Sequence, residues 1–385
     1  MVITNLIVET MAGETIENGF IFIEGEKIAA IGKMSEYKGD MGEELDFSGC
    51  HALPGLIDAH SHLGLFGDSL GFEGEDGNEV SDPVTPQLCA IDGINALDRG
   101  FSEALDYGVT TVITGPGSAN AISGQSAAVK TFGCCVDDMV IKPRLAMKLA
   151  LGENPKNTYS GRSQAPCTRM TTAALIREEL FRARRYQEDI ERWQSDTEEY
   201  DAPEYDAKSE ALLPVLRGEM PVHIHAHRVD DIFTAARIIK EFSLKGVIIH
   251  ATEAHLVAER FAKEGIPVVC GPIMGTRSKP ELAGMSRKGA ALLKQSGVKT
   301  AICTDHPEMP QEFLMLSAAI AHSEGMSRED ALGAITITAA EISGLNDRIG
   351  SLKAGKDADI VIYQNDPILG LEKPKAVFLN GKRVR

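Results

Sequence analysis

The chain has 385 residues, more than one hydrophobic core usually organises, although a closed α/β barrel can run to about 250 residues as a single unit. With 43% hydrophobic and 25% charged residues, 37 Gly and 17 Pro, the composition excludes disordered, collagen-like and coiled-coil classes. The balance of 39 Lys+Arg against 56 Asp+Glu, −17 formally, describes a surface that repels phosphate backbones and anionic lipid, so neither nucleic acid nor a membrane is expected as a partner.

Residues 1–50 alternate apolar and polar in short runs (LIVET, GFIFIEG, KIAAIGK), the period-2 signature of antiparallel hairpins. The first residues show no basic segment followed by an apolar run. No apolar stretch approaches the roughly 20 residues that span a bilayer. Seven cysteines without a CxxC or a disulfide-framework spacing fit a reducing compartment, so a cytoplasmic protein is expected.

From residue 53 the texture changes. Short apolar strands (HALPGLIDAH, VTTVIT, RLAMKLALG, MPVHIHAH, GVIIHAT, IPVVCGP, KTAICTD) alternate with amphipathic helical stretches such as IDGINALDRGFSEALDYG and TAARIIKEFS. Strand and helix alternating at this spacing imply parallel pairing, and about eight such units imply a barrel with functional residues at the strand C-termini. The polar stretch from Ala174 to Gly218 interrupts the pattern with i,i+4 charge pairs and reads as one or two outer helices with a solvated face. After Gly344 the β texture returns in DRIGSLKAGKDADIVIY and KAVFLNGKRV, the latter with an Asn-Gly hairpin turn at Asn380 and Gly381. The expected fold is α/β: a (β/α)8 TIM-like barrel over 53–344, with a small composite β-sandwich domain built from both chain ends, 1–52 and 345–385.

Ten histidines occur in the chain. His60, His62, His225 and His250, together with Asp305, each fall at the last residue or two of a predicted barrel strand. Imidazole and carboxylate are the ligand set for Zn²⁺, Mn²⁺ or Fe²⁺. In an extended strand His60 and His62 share a face, so both can reach one ion from the barrel mouth. A lone strand-end histidine is more often a bonded core residue; five coincident positions reverse that reading.

These motifs resemble the amidohydrolase superfamily: LPGLIDAHSH after a β-rich start, HAH and VIIHA closing two later strands, CTD before the last helices, and GSLKAGKDADIVIY returning to the small β domain. The likeness covers about Asn5 to Arg385 and is strongest to imidazolonepropionase-related and prolidase-like members. It implies His60 and His62 as first-strand ligands of the more buried metal, His225 and His250 as fifth- and sixth-strand ligands, and Asp305 as an eighth-strand carboxylate that binds metal and shuttles a proton. It also implies one or two Zn²⁺ ions, with Mn²⁺ or Fe²⁺ as alternatives. On the fourth strand, AMKLALGENPK, binuclear members carry a bridging carboxylated lysine or a glutamate. Lys148 is placed ahead of Glu153 for that role.

Around this set, His223 reads as a hydrogen-bonded core histidine, His255 as structural, and His51 and His322 as surface or packing residues. His227, one pleat beyond His225, and His306, next to Asp305, are candidates to contact substrate. Lys156, Arg162, Arg228, Arg277 and Lys279 could hold an anionic group, since guanidinium in particular presents a planar fork to a carboxylate. The loop after His62 is acidic (Asp68, Glu73, Glu75, Asp76, Glu79, Asp82), and loops of opposite sign would suit a zwitterion such as a dipeptide.

The expected chemistry is metal-assisted hydrolysis of a C–N bond in a small molecule, an amide, cyclic amide or dipeptide, with Asp305 as base and acid. Many deaminases of the superfamily carry a glutamate three residues after the fifth-strand histidine, where this chain has Arg228. A non-catalytic scaffold would have lost ligands that are all present here. A phosphatase or sugar isomerase on the same barrel is disfavoured by the lack of a glycine-rich phosphate motif. Barrels of this kind resemble families that commonly pair, so a homo-oligomer is among the expectations.

Overall fold

The computed structural model describes residues 1–39, 42–68, 70–370 and 372–385, Gly370 by its backbone alone. In chain order its strands are β1 (Val2–Val8), β2 (Ile16–Glu24), β3 (Lys27–Lys33), β4 (Glu44–Asp46), β5 (His51–Pro54), β6 (Leu56–Ser61), β7 (Val109–Thr114) and β8 (Ile122–Lys130). There follow β9 (Val140–Ala150), β10 (Val222–Ala226), β11 (Gly246–His250), β12 (Val268–Cys270), β13 (Thr300–Ile302), β14 (Ile360–Tyr363), β15 (Ala376–Leu379) and β16 (Lys382–Arg383).

Strands from both chain ends meet in one sheet, ordered β16-β15-β14-β5-β1-β2-β3 with β4 beside β1. Hydrogen bonding runs unbroken through it, in place of the two separate sheets of the expected sandwich. Both faces of its centre are buried, which explains the near-continuous apolar runs in β5, β14 and β15. Ala52, Ile360, Ile362 and Phe378 enter a core with Ile3 and Ile21, while the alternate residues Leu53, Val361, Tyr363 and Val377 join the core that surrounds the barrel. Each buried Val, Leu, Ile or Phe among them contributes roughly 1.5–3 kcal/mol.

The second sheet runs β6 to β13 in sequence order. Parallel pairing holds for β6–β7 and from β9 to β13. The expectation of parallel pairing throughout fails at β8, which is antiparallel to both neighbours. The links explain it: residues 115–121 and 131–139 are too short for a crossover helix, which needs a dozen or more residues, so they can only make hairpins. Small and polar residues (ISGQSAAVK) hid this strand from the periodicity of the sequence. Its reversed direction carries Ser118 to Asn120 to the mouth and Lys130 to the base, where Thr131 N–H donates to Thr110 O (3.1 Å).

The barrel closes between β6 and the segment after β13 through Asp305 N–H to His60 O (3.2 Å) and His62 N–H to His306 O (2.8 Å). Asp58 braces the same seam by accepting from the Thr304 N–H (3.2 Å) and hydroxyl, and burial pushes its carboxyl up to about 7. Lower down, Ile57 N–H donates to Ile335 O (2.8 Å), and Ala339, Ala340 and Ile342 pack with Ile57, Ile249 and Ala301.

Helices cover the outside. The helix Val229–Phe242 buries Ile232, Ala235, Ile238 and Ile239 at helical spacing and ends on Ser243 in the left-handed conformation (φ 55°). The polar stretch forms two helices, Arg169–Ser195 and Ala207–Leu216, capped by Thr168 and Asp206. Among the described residues, no helix is long and apolar enough to cross a membrane.

Candidate metal centre

The strand ends place five histidines and an aspartate around one opening. Asp305 Oδ1 lies 3.4 Å from Nε2 of both His60 and His62. Across the mouth, His225, His227 and His250 form a second group, with ring centroids 4.6 Å apart in each pair. The six side chains are buried. Both groups bring one ligand atom per residue within 4.8 Å of the others, the spacing a shared cation would require.

The tautomers are prepared for metal. His62 Nδ1–H donates to Gly115 O (2.7 Å) and His250 Nδ1–H to Gly271 O (2.7 Å), leaving Nε2 of each as a lone-pair donor. Second-ring-nitrogen bonds of this kind orient metal-binding imidazoles in general. Burial, the largest cause, lowers the pKa of His60, His225 and His227 well below the usual histidine range and that of His250 to about 4, so all four stay neutral. Burial alone would raise the Asp305 carboxyl, but the flanking imidazoles of His250, His60 and His62 outweigh it and hold it well below the usual range. Asp305 Oδ1 has no hydrogen-bond partner among the described residues. A buried carboxylate oxygen left bare is costly, and a divalent cation is the group that would satisfy it. The donor set therefore fits the metal expected from the sequence.

Lys148, 1% exposed, reaches this group from β9, its Nζ donating to His60 Nε2 at 3.0 Å. Burial lowers its pKa to about 8. Glu153 sits at the start of the helix Glu153–Ser160, and its carboxylate accepts from the Glu281 N–H (3.2 Å).

Above the two groups lies a cavity of about 560 Å³. His62, His225, His227, His250 and Asp305 line its floor, and Lys279 lines its wall, where Nζ contacts Asn154 Oδ1 (3.2 Å). The other cations singled out in the sequence are not among its lining residues. Arg162 donates to Val80 O (2.6 Å), Arg228 to Asp230 (2.9 Å), and Arg277 to Ala283 O (3.2 Å) and Met285 O (3.1 Å). Lys156 is half-buried on its helix, and the His306 ring lies outside the lining, which resumes at Pro307 and Glu308. From the acidic loop, Asn78 and Phe66 reach the cavity while its carboxylates do not. Asp82 pairs instead with Lys208 (2.7 Å).

His223 is fully buried beside Lys148 in register, yet neither ring nitrogen has a partner among the described residues, which corrects the expectation of a hydrogen-bonded core histidine. Burial pushes it down to about 3, so it is accommodated as an uncharged ring. The Nδ1 of His255 pairs with Thr252 O (3.0 Å), in keeping with a structural role. Sequence reasoning missed Glu281, a fully buried carboxylate in the loop after β12 whose Oε1 faces His225 and His227. The only signal was its place two residues after Lys279, in a loop without periodicity.

The amidohydrolase family model matches residues 51–384. Among curated proteins, the amidohydrolase tasK of Hapsidospora irregularis is 30% identical over 87% of this chain, and the match spans 36% of that much longer relative. The imidazolonepropionase of Maricaulis maris is 25% identical over 90% of this chain and 87% of its own length. Among solved structures, an amidohydrolase from Thermotoga maritima MSB8 is 38% identical with a TM-score of 0.95, covering 100% of this chain and 99% of that one. A prolidase complexed with N-methylphosphonate-L-proline shares the fold at 17% identity, with a TM-score of 0.63 over 100% of this chain and 99% of that one. With these ligand positions on this barrel and a family match over most of its length, the chain belongs to the amidohydrolase family.

Proposed function

We propose that this protein is a metal-dependent hydrolase of a C–N bond in a small molecule, an amide, cyclic amide or dipeptide. The observation that carries the reading is the pair of buried donor groups at one mouth, with imidazoles held neutral and an orphaned carboxylate oxygen facing His60 and His62. His60, His62 and Asp305 would hold one cation; His225 and His250 would hold a second, with Lys148 as a carboxylated bridge. Zn²⁺ leads, and Mn²⁺ or Fe²⁺ would suit the same donors. Such a cation lowers the pKa of water toward about 7 and polarises a carbonyl.

The chain's own residues do the rest. Asp305, an ionised carboxylate at the mouth, takes a proton from the attacking water and passes it to the leaving nitrogen. Lys148 is favoured over Glu153 as the bridge because its Nζ is already at His60, whereas the Glu153 carboxylate is engaged by the Glu281 backbone. Lys279 is the cation placed to meet an anionic substrate group. The cyclic and dipeptide substrates suggested by relatives named imidazolonepropionase and prolidase fit a cavity of this size and a single basic wall.

The test is a hydrolysis screen of the metal-loaded protein against N-acyl amino acids, dipeptides and small cyclic amides, with elemental analysis alongside. Turnover that chelation abolishes and Zn²⁺ or Mn²⁺ restores is expected. Fully folded protein that takes up no metal would instead mark a non-catalytic scaffold.

A further inference from the structure

We propose that Glu281 supplies a carboxylate to the second cation site, the one that His225 and His250 would hold, with His227 as a further donor on the Glu281 side. The proposal rests on the hydrolase reading for the presence of metal, and it stands whether or not Lys148 bridges.

The geometry is that of a coordination shell. Glu281 Oε1 lies 3.6 Å from His225 Nε2 and 3.5 Å from His227 Nε2. These separations are too long for hydrogen bonds, yet donors placed tetrahedrally at about 2.1 Å from a Zn²⁺ ion stand about 3.4 Å from one another. The same spacing, 3.4 Å, separates Asp305 Oδ1 from the first-strand imidazoles, so the two sides of the mouth repeat one arrangement. The His227 ring is fixed in the orientation this requires, because its Nδ1 pairs with Thr252 Oγ1 at 2.6 Å and so turns Nε2 toward Glu281.

The rest of Glu281 is fixed. Its Oε2 accepts from the Glu153 N–H (3.1 Å) and its own N–H is held by the Glu153 carboxylate (3.2 Å), so a reciprocal clasp seats this fully buried side chain with one oxygen left over. That oxygen, Oε1, faces the Lys279 ammonium as an ion pair at 2.9 Å and meets no other donor among the described residues. The ammonium supplies positive charge where the shell calls for it. Being 30% exposed, the Lys279 side chain can withdraw into the cavity when a cation enters.

The test uses Co²⁺ as probe on the full chain, with bound metal counted after equilibrium dialysis and the visible ligand-field bands recorded. Glu281→Gln keeps the size of the side chain and an acceptor for the Glu153 N–H, while removing the anionic donor. Wild type is expected to bind two equivalents, and Glu281→Gln to hold the second about 10-fold or more weakly, with loss of the band that the second equivalent adds. His227→Gln should produce the same loss, which keeps the proposal testable if Glu281→Gln folds poorly. Both variants binding the second equivalent with wild-type affinity and spectrum would overturn the proposal and leave the hydrolase reading intact. A wild type that binds a single equivalent, abolished by His60→Ala, would do the same; a wild type that binds none would overturn both.

Discussion

The two ends of the barrel treat buried charge in opposite ways. At the base, Lys130 from the reversed strand β8 reaches Asp357 (3.2 Å) and Asp359, and Asp357 also pairs with Lys27 (2.6 Å) and Arg348 (2.9 Å). The second oxygen of Asp359 accepts the Asn380 N–H (3.0 Å), so this network, which ties the small sheet to the barrel, is satisfied within the chain. At the mouth, Asp305 Oδ1 is buried and lacks a hydrogen-bond partner among the described residues, and the buried Glu281 Oε1 meets the charge of Lys279 alone, on a cavity-lining side chain that is 30% exposed. A buried charge network completed by protein atoms serves architecture, whereas one left incomplete is waiting for something the chain does not contain. The comparison predicts that substitutions at the mouth remove activity and spare stability, and that substitutions at the base do the reverse.

Asp305→Asn gives the largest effect. The amide keeps the shape of the site and cannot accept the proton, so kcat should fall by about 10² to 10⁴, the usual range for a general base. The midpoint of chemical denaturation should barely move. A variant that hydrolyses substrate at close to the wild-type rate would reduce Asp305 to a structural part.

Lys130→Met is the mirror experiment. It leaves the Asp359 carboxylate, 4% exposed, without its cation and removes one of the three that pair with Asp357, 2% exposed, and breaking a buried pair in this way costs about 3–5 kcal/mol. Turnover per folded molecule should be unchanged. The loss should also depend on pH. Burial pushes the Asp357 carboxyl up, but Lys130, Lys27 and Arg348 together hold it below its ordinary value. A depressed native pKa means that the unfolded chain binds more protons, so this contribution is present above about pH 4 and lost as pH falls through the native value. Without Lys130, burial weighs more on Asp357 against the two cations that remain, so the downward shift of its carboxyl shrinks. The stability gap between wild type and variant should therefore be wider at pH 8 than at pH 4; a gap that widens on acidification would refute the assignment.

How much of this was legible beforehand follows from the kind of signal each part leaves. That His60, His62, His225, His250 and Asp305 lie together at one mouth could be anticipated, because rare residue types coincided with the ends of the apolar strands, although Asp305 falls three residues beyond β13 and not at its end. The base network could not be read: Lys130 lies at the end of a strand of small polar residues whose direction depends on two short links, and its partners Asp357 and Asp359 are more than two hundred residues away. Glu281 was invisible for a related reason, since loop conformation is set by tertiary contacts such as the clasp with Glu153, and no local pattern encodes them. The arginines were over-read. A charge in a loop sequence says nothing of whether it faces the cavity or a nearby carbonyl.

Lys148 sharpens the comparison within the mouth. An amine is protonated at neutral pH, with a reference pKa of about 10.4, and makes a poor bridge between cations until CO₂ converts it to an anionic carbamate. Its burial, which lowers the pKa to about 8, favours the neutral amine that reacts. Lys148→Ala should lose about one equivalent of metal together with most activity, and short carboxylic acids should restore part of both. Glu153→Gln should disturb metal content less. If Lys148→Ala kept its full metal complement while Glu153→Gln lost an equivalent, the bridge would belong to Glu153.

The smallest effect is expected at the rim, where charge is neither buried nor unsatisfied. Arg228 follows the ligand strand directly, which made it a candidate for holding substrate, but its side chain is 43% exposed and paired with Asp230, itself 52% exposed. Solvent screens such a pair, and its removal should change stability by less than about 0.5 kcal/mol. Lys279, by contrast, lines the cavity, and a charge-assisted hydrogen bond from it to a substrate carboxylate would contribute about 1.5–3 kcal/mol, roughly 10- to 150-fold in KM. Measured on one carboxylate-bearing substrate, Lys279→Met should raise KM by that factor, while Arg228→Met stays within about threefold of wild type. An inverted result, with Arg228→Met the more damaging, would mean that the loop carrying it folds over bound substrate. The boundary between mouth and rim would then have to be redrawn to include it.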